Sequence, residues 1–256
     1  PMNGLTYDPH PKLSKDNPNV YMSMGITAEN VAKKFDISRK EQQDFAISSH
    51  YKANLARESN MFDNEIVSIT NNDEKINKDG GIRPNTSHEI LDGLKLAFDE
   101  NGTVTAGTAS PLTDGASAVI VCEEEYAKKN NLNILARIKS TAVVGCPPEL
   151  MGLGPINASK KALKRANLSI SDIDIVELNE AFASQSLACI KELKMDINKV
   201  NIHGGAIALG HPLGATGARI TGKVATLLQN NNKKYGLATQ CIGLGQGIAT
   251  VLENIN

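Results

Sequence analysis

The sequence lacks an excess of charge of either sign, long apolar runs and more than a few cysteines. Lys and Arg total 27 against 28 Asp and Glu, which removes the electrostatic basis for general nucleic-acid binding. No apolar run approaches the ~20 residues that a membrane span needs. The four cysteines contain no CxxC pair. We therefore expect neither a disulfide scaffold nor a zinc site, and we expect reduced thiols in a cytosol-like compartment.

What is present is typical of a folded globular chain. The 256 residues are 41% hydrophobic and 21% charged, and this length can bury a sizeable core. In the first half, the proline-containing stretch 1–24 is predicted to be extended, and the polar stretch 70–93 is predicted to be a surface excursion. Helices are predicted from Thr27 and from Ser38, where Ser38 and Glu41 form a capping box.

Strands and helices then alternate. Strand-like segments are predicted at 103–107, 116–122, 134–144, 173–178, 200–203, 237–241 and 248–252, and helices at 158–166, 180–193 and 215–228. This alternation predicts a layered α/β fold.

Three polar side chains follow predicted strands of the second half: Asn179, His211 and Cys241. Because the carboxyl ends of strands face the ligand crevice of an α/β sheet, the three are expected to share one rim. Taken singly, each residue has an ordinary interpretation. The asparagine can be a helix N-cap, the histidine a satisfied loop residue and the cysteine a small buried hydrophobe.

The glycine-rich loop around His211 could cradle a phosphate, but it has neither the GxGxxG spacing nor a GKS or GKT sequence. Taken together, the three side chains favour another chemistry. A cysteine can exchange a proton, a histidine can polarise a carbonyl, and an asparagine can hold a water or an oxyanion. Nearby glycines let backbone N–H groups approach the reacting oxygen. This combination suits acyl or thioester chemistry.

Five stretches of the sequence resemble the thiolase family. The NEAFA stretch at 179–183, the glycine loop 204–217 containing Gly-His-Pro, and the Cys-Ile-Gly stretch at 241–243 are similar to its three C-terminal signatures, in the same order. The segments 24–39 and 103–116 resemble the opening of the thiolase loop domain and the return from it. The stretches 142–146, 151–155 and 241–251 are most similar to those of degradative 3-ketoacyl-CoA thiolases, especially the bacterial form. Ser23 stands where biosynthetic members carry a histidine.

The resemblance implies a role for each site residue. His211 would assist the acyl-accepting cysteine and bind the thioester oxygen, and Asn179 would hold a water beside it. Cys241 would be the general acid and base, and the N–H of Gly243 would belong to a second oxyanion hole. Ser110 and Arg83 would contact the pantetheine and nucleotide parts of coenzyme A. The reaction implied is thiolytic cleavage of 3-ketoacyl-CoA, with coenzyme A as a substrate and without a metal or redox cofactor.

The family's acyl-accepting cysteine has no counterpart in this sequence. Cys122, Cys146 and Cys189 do not fit its setting at a strand-to-helix junction. We therefore expect a chain that lacks most of the N-terminal half and is inactive alone. Its expected parts are the loop domain and flanks (1–109), a returning strand and helix (110–130) and the C-terminal thiolase domain (131–256).

Two other functions stay open: a biosynthetic acetoacetyl-CoA thiolase, and a noncatalytic acyl-CoA- or lipid-binding relative. For the degradative enzyme, the resemblance implies a cytoplasmic homodimer with acyl-CoA and CoA as ligands. A multifunctional hydratase/dehydrogenase subunit of β-oxidation would be a possible protein partner. No nucleic acid or membrane span is expected.

Overall fold

A four-stranded mixed sheet organises the second half of the chain. The computed structural model describes residues 8–255. Its strands are β3 Arg137–Gly145, β4 Ile175–Leu178, β5 Tyr235–Ile242 and β6 Gln246–Glu253. Their order in the sheet is β3-β6-β5-β4, where β4 is parallel to β5 and the other pairs are antiparallel. The predicted α/β class is confirmed.

Helices cover both faces of this sheet. Alternate residues of β4 point into two different apolar cores, as expected for a strand buried on both faces. Val176 and Leu178 lie in the larger core on one face, whereas Ile175 lies in the smaller core on the opposite face. The larger core receives α6 (Gly154–Ala166) and α7 (Ala183–Leu193), and the smaller one receives α9 (Thr216–Asn230).

The first half packs onto the larger core through the long helix α3 (Arg39–Glu58). Phe45 and Ala46 of this helix lie in that core. The predicted capping box is confirmed, because Ser38 and Glu41 bond to each other's backbone N–H groups at the start of α3. The remaining elements are α1 Pro11–Asp16, α2 Met24–Phe35, β1 Ile69–Asn71, β2 Glu74–Ile76, α4 His88–Asp92, α5 Glu124–Lys129 and the single turn α8 Ala206–Leu209, with short 3₁₀ helices at Pro18–Tyr21, Pro148–Leu153, Ile170–Asp172 and Ile197–Lys199.

Several predicted elements differ from the structure. The extended conformation predicted for 1–24 is wrong at Pro11–Asp16 and Pro18–Tyr21, where proline begins a helix because its fixed φ suits the first turn. Residues 1–7 lie outside the described part. The second helix begins at Met24 rather than Thr27. Within the polar stretch 70–93, β1 and β2 form an exposed antiparallel hairpin.

The strand predicted at 116–122 is not formed. This segment has no regular secondary structure, and Val119, Ile120 and Val121 are exposed. A strand requires hydrogen bonds from a neighbouring strand, and none lies beside this segment among residues 8–255. The strands predicted at 103–107 and 200–203 are likewise reduced to isolated bridges at Thr105 and Val200. In the described part of the chain, no helix is both long and apolar enough to cross a membrane.

Candidate active site

Asn179 and Cys241 lie at the carboxyl ends of two adjacent parallel strands. Leu178 pairs with Thr239 across β4 and β5, and the backbone N–H of Asn179 donates to the carbonyl of Thr239 at 3.0 Å. Asn179 therefore follows β4 directly, while Cys241 lies two residues beyond Thr239 on β5. The parallel pairing brings the two motif segments to one edge of the sheet, where ligand sites of α/β folds form.

His211 is brought to Asn179 by the glycine loop. Nδ2 of Asn179 lies 3.4 Å from Nε2 of His211. Gly210 precedes the histidine with a φ of +93°, and a β-carbon there would collide with Thr113. The same Thr113 hydroxyl accepts the backbone N–H of His211 at 3.3 Å. Glycine is required at 210 for both its conformation and its close packing, and the result is a fixed histidine.

The other ring nitrogen of His211 has a defined partner. Nδ1 lies 2.6 Å from Oγ1 of Thr216, a fully buried hydroxyl at the start of α9 whose oxygen is also 3.2 Å from the carbonyl oxygen of Pro212. When the single hydroxyl hydrogen is given to Nδ1, the ring proton is on Nε2, which can then donate to an oxyanion. Burial, followed by the positive charge of Arg219, lowers the pKa of His211 below its usual range. The imidazole is therefore neutral at pH 7, and Nε2 is the nitrogen that faces Asn179.

Cys241 lies in a small apolar cluster. It is 7% exposed and packs with Met151, Ala181 and Phe182, among others. Burial raises the pKa of its thiol to about 12, so the sulfur holds a proton at neutral pH. Such a group is a resident proton donor for a carbanion that forms beside it.

Gly243 lies in the turn that joins β5 to β6. The next two residues, Leu244 and Gly245, have φ values of +69° and +92°, so the turn is tight. A β-carbon at Gly243 would lie 3.7 Å from the sulfur of Met24, which is ordinary contact. Packing therefore leaves space at Gly243 for a side chain.

A cavity of about 510 Å³ extends from this edge toward the hairpin of the first half. Arg83, Ala109, Pro111 and Gly210 are among its lining residues. The backbone N–H of Arg83 donates to Nδ1 of His50 at 3.2 Å. Burial lowers the pKa of His50 to about 4, so this acceptor is neutral at pH 7. The lining of the cavity therefore includes both a basic side chain and the residue before His211.

Ser110 is tied to the Asn179 motif rather than facing open solvent. Its backbone N–H and its hydroxyl both donate to the carbonyl of Ala181, at 3.0 and 3.1 Å. Ala109 and Pro111, its chain neighbours, line the cavity. Ser110 and Arg83 thus belong to segments that border one cavity.

The other three cysteines lie in different surroundings. Cys122 is exposed in the irregular segment before α5. Cys146 is half-buried after β3, and burial raises its pKa. Cys189 is buried within α7, and burial raises its pKa as well. None of the three follows β4 or β5, the strands that carry Asn179 and Cys241.

Sequence reasoning missed the residues that support the predicted ones. Thr113 and Thr216 hold His211, and neither was expected to have a role. The position of Thr216, five residues after the histidine in the same glycine loop, is the only sequence signal for its part. Thr113 is 98 residues away from His211 and gives no local signal.

The chain is similar to thiolases over nearly its whole length. The family described as "Thiolase, N-terminal domain" matches residues 13–125, and "Thiolase, C-terminal domain" matches residues 132–254. The 3-ketoacyl-CoA thiolase of Shewanella loihica is 52% identical over 99% of this chain and 67% of its own length. That of Photobacterium profundum is 51% identical over 100% of this chain and 68% of its own.

Solved structures give the same result. The human mitochondrial 3-ketoacyl-CoA thiolase in complex with CoA superposes with a TM-score of 0.90 at 44% identity, covering 93% of this chain and 60% of that one. The acetyl-CoA acetyltransferase of Bacillus anthracis gives 0.87 at 43% identity, covering 91% and 60%. The chain thus spans about two thirds of the length of the curated relatives, and less of the solved structures.

Proposed function

The chain belongs to the thiolase family, and from this we propose that it supplies the proton-transfer and oxyanion site of a 3-ketoacyl-CoA thiolase. The activity proposed for the whole protein is cleavage of 3-ketoacyl-CoA by coenzyme A to acetyl-CoA and a shortened acyl-CoA. The observation that carries the proposal is the 3.4 Å contact between Asn179 and His211 at the sheet edge where Cys241 also lies.

In the first half-reaction, a cysteine thiolate attacks C3 of the substrate. The family resemblance implies that this acyl acceptor belongs to the N-terminal half of a thiolase subunit. The C2–C3 bond then breaks, and its electron pair becomes the enolate of acetyl-CoA. Asn179 and His211 bind the enolate oxygen, directly or through a water, and Cys241 gives its proton to C2. The protonated resting state of Cys241 supports this direction, because the thiol starts as the acid.

In the second half-reaction, coenzyme A takes the acyl group. The Cys241 thiolate left by the first step accepts the proton of the incoming CoA thiol. The CoA sulfur then attacks the acyl thioester, and the acceptor cysteine leaves as a thiolate. The backbone N–H of Gly243 stabilises the oxyanion formed on the thioester carbonyl. Cys241 ends this step protonated again, so no metal or redox cofactor is needed in this scheme.

The cavity of about 510 Å³ is the proposed CoA groove. Arg83 at its rim offers a fixed positive charge to the nucleotide phosphates, which suits guanidinium chemistry. The segment around Ser110 continues from the rim toward the Asn179 motif, as the narrow pantetheine arm requires. The groove ends at Gly210, beside His211.

Assay of thiolysis tests this function. A protein that joins this chain to an N-terminal half carrying the acyl-accepting cysteine is given 3-ketoacyl-CoA and coenzyme A, and loss of the substrate's enolate absorbance is followed across a series of acyl lengths. We expect turnover with 3-ketoacyl-CoA substrates longer than acetoacetyl-CoA, lost in His211→Ala. Activity confined to acetoacetyl-CoA would favour the biosynthetic alternative. Tight CoA binding without turnover in that protein would favour the noncatalytic acyl-CoA-binding relative.

We also propose that the protein forms a homodimer and that a β-oxidation hydratase/dehydrogenase subunit is a further partner. The proposed location is the cytoplasm. Sedimentation of the purified protein, alone and with that subunit, tests the first two, and cell fractionation tests the third.

A further inference from the structure

A buried carboxylate lies directly beside the Asn179–His211 pair. Glu180 is 1% exposed, and its side chain accepts three hydrogen bonds. The donors are the hydroxyl of Ser49 at 2.6 Å, Nδ2 of Asn201 at 2.8 Å and the backbone N–H of Ile207 at 3.1 Å. The three donors come from α3, from the segment after Val200 and from α8, which are distant in the sequence. A single carboxylate therefore joins three separate parts of the chain to the end of β4.

The packing around this carboxylate is close on the side of the glycine loop. A β-carbon at Gly205 would collide with the Glu180 carboxyl group. The backbone N–H of Gly205 donates to the Ser49 hydroxyl at 3.1 Å, so Ser49 both gives and accepts a hydrogen bond there. Glycine at 205 lets the loop rest directly on the carboxylate.

Asn201 has a fixed orientation at this site. Its Oδ1 accepts the backbone N–H of Leu178 at 2.9 Å, and its Nδ2 donates to the carbonyl of the same residue at 2.8 Å. The amide cannot flip without losing both bonds, so Nδ2 must point to Glu180 as a donor.

We propose that Glu180 is a positioning residue for the Asn179–His211 pair. Glu180 follows Asn179 directly in the chain, so its position is tied to that of the asparagine. Its carboxylate also accepts the N–H of Ile207 in α8, and the chain continues from α8 through Gly210 to His211. The carboxylate thereby sets the separation between the amide of one catalytic loop and the ring of the other. This inference rests on the proposed function for its catalytic meaning.

Because three groups donate hydrogen bonds to the Glu180 side chain, both of its carboxylate oxygens must act as acceptors. Burial raises the pKa of Glu180, and the hydrogen bonds from Ser49, Asn201 and Ile207 together with the charge of Lys52 act against that rise. Glutamine has the same shape but one N–H₂ group in place of an oxygen. In either orientation this group faces a donor, because Asn201 cannot turn and Ile207 donates from its backbone. Glu180→Gln therefore keeps the volume and breaks the link.

A matched control lies three residues earlier along the chain. Glu177 is also 1% exposed, but its Oε1 has no hydrogen-bond partner. Glu177→Gln makes the same chemical change in equally deep burial without removing a bond between segments. Differences between the two variants therefore report the link and not the mere replacement of a buried carboxyl group by an amide.

The test is the titration of His211, followed by NMR on protein carrying labelled histidine and assigned with His211→Ala. The wild-type His211 pKa is lowered by burial. In Glu180→Gln we expect the His211 pKa to rise toward its usual value, as the loop loosens and the ring gains water. In Glu177→Gln it should stay at the wild-type value. In the active protein, Glu180→Gln should lower kcat by roughly 10- to 100-fold with KM for CoA within about threefold, because misplacement by about 1 Å is enough for such a loss.

Each outcome decides one claim. A folded Glu180→Gln protein with the wild-type His211 titration and kcat would overturn the positioning role. If that variant does not fold, Ser49→Ala removes one donor only, and a smaller rise of the His211 pKa is expected; no rise there would also overturn it. Absence of turnover in a protein that also carries the N-terminal half with its acyl-accepting cysteine would refute the proposed function, while the titration would still decide whether Glu180 positions the pair.

Discussion

Nδ2 of Asn179 lies 3.4 Å from Nε2 of His211, although the two residues are 32 positions apart. Oδ1 of the same asparagine is buried without a hydrogen-bond partner. A buried acceptor needs a hydrogen-bond donor, and a water that donates to Oδ1 can donate its second hydrogen to a substrate oxyanion. The pair thus presents an amide and a neutral imidazole to one small volume.

If the two side chains act on one oxyanion, their effects on catalysis are coupled. Asn179→Ala and His211→Ala should each lower kcat by about 100- to 1000-fold, the usual cost of losing one such donor. The double variant should lose far less than the product of the two. The thiolysis assay of the four proteins measures this. Fully multiplicative losses would contradict a shared oxyanion.

Thr216 should control His211 through the 2.6 Å contact with Nδ1. Thr216→Val keeps the shape but removes the hydroxyl, so the ring loses its orienting partner, and kcat should fall by about tenfold, the effect of losing roughly one hydrogen bond. Thr216→Ser keeps Oγ and should retain most of the activity. Equal activity in the Val and Ser variants would mean that the hydroxyl does not orient the ring.

Glu177 should make stability depend on pH. Burial raises its pKa to about 7 from the usual 4.5. The folded state therefore binds its proton more tightly, and this contribution to stability is present below pH 4.5 and lost as the pH rises through about 7. Glutamine does not ionise, so the free energy of unfolding of Glu177→Gln should exceed that of wild type by an amount that grows between those two pH values, up to about 3 kcal/mol. Urea unfolding at about pH 5 and about pH 8 measures the gain; a difference that shrinks with pH would contradict it.

Arg83 should contribute to CoA binding by charge. Arg83→Ala removes the positive charge at the rim of the cavity and should weaken CoA binding by about fivefold, the effect of roughly 1 kcal/mol. The loss should diminish in high salt. Arg57→Ala is the control, because Arg57 lies on α3 and its guanidinium contacts Asn54. Calorimetric titration with CoA measures both; equal weakening by the two variants would exclude a specific role.

The sequence was informative where one local pattern determines the geometry. The capping box at Ser38 needs only Glu41 three residues later, and it is present. The common edge of Asn179 and Cys241 follows from the parallel pairing of buried strands, and the pairing of β4 with β5 agrees with it. Both inferences depend on short-range spacing or on a general rule of α/β sheets.

The sequence was misleading where the structure of a segment depends on contacts with a distant part of the chain. Residues 116–122 have the β-branched residues of a strand, yet a strand forms only beside another, and this segment stays irregular. Thr113 and Ser49 reach the site from other parts of the chain, at 98 and 131 residues from the groups they contact. No local pattern encodes contacts at such separations.

In the proposed reaction, Cys241 exchanges a proton with the α-carbon of acetyl-CoA. Deuterium uptake into acetyl-CoA in D₂O, read by mass spectrometry, tests it directly, because this exchange involves the cysteine and the oxyanion site and no carbon–carbon bond. We predict uptake well above the protein-free rate, lost in Cys241→Ser and sharply reduced in Asn179→Ala. Uptake that is unchanged in Cys241→Ser, or absent from wild-type protein that binds CoA, would contradict the account.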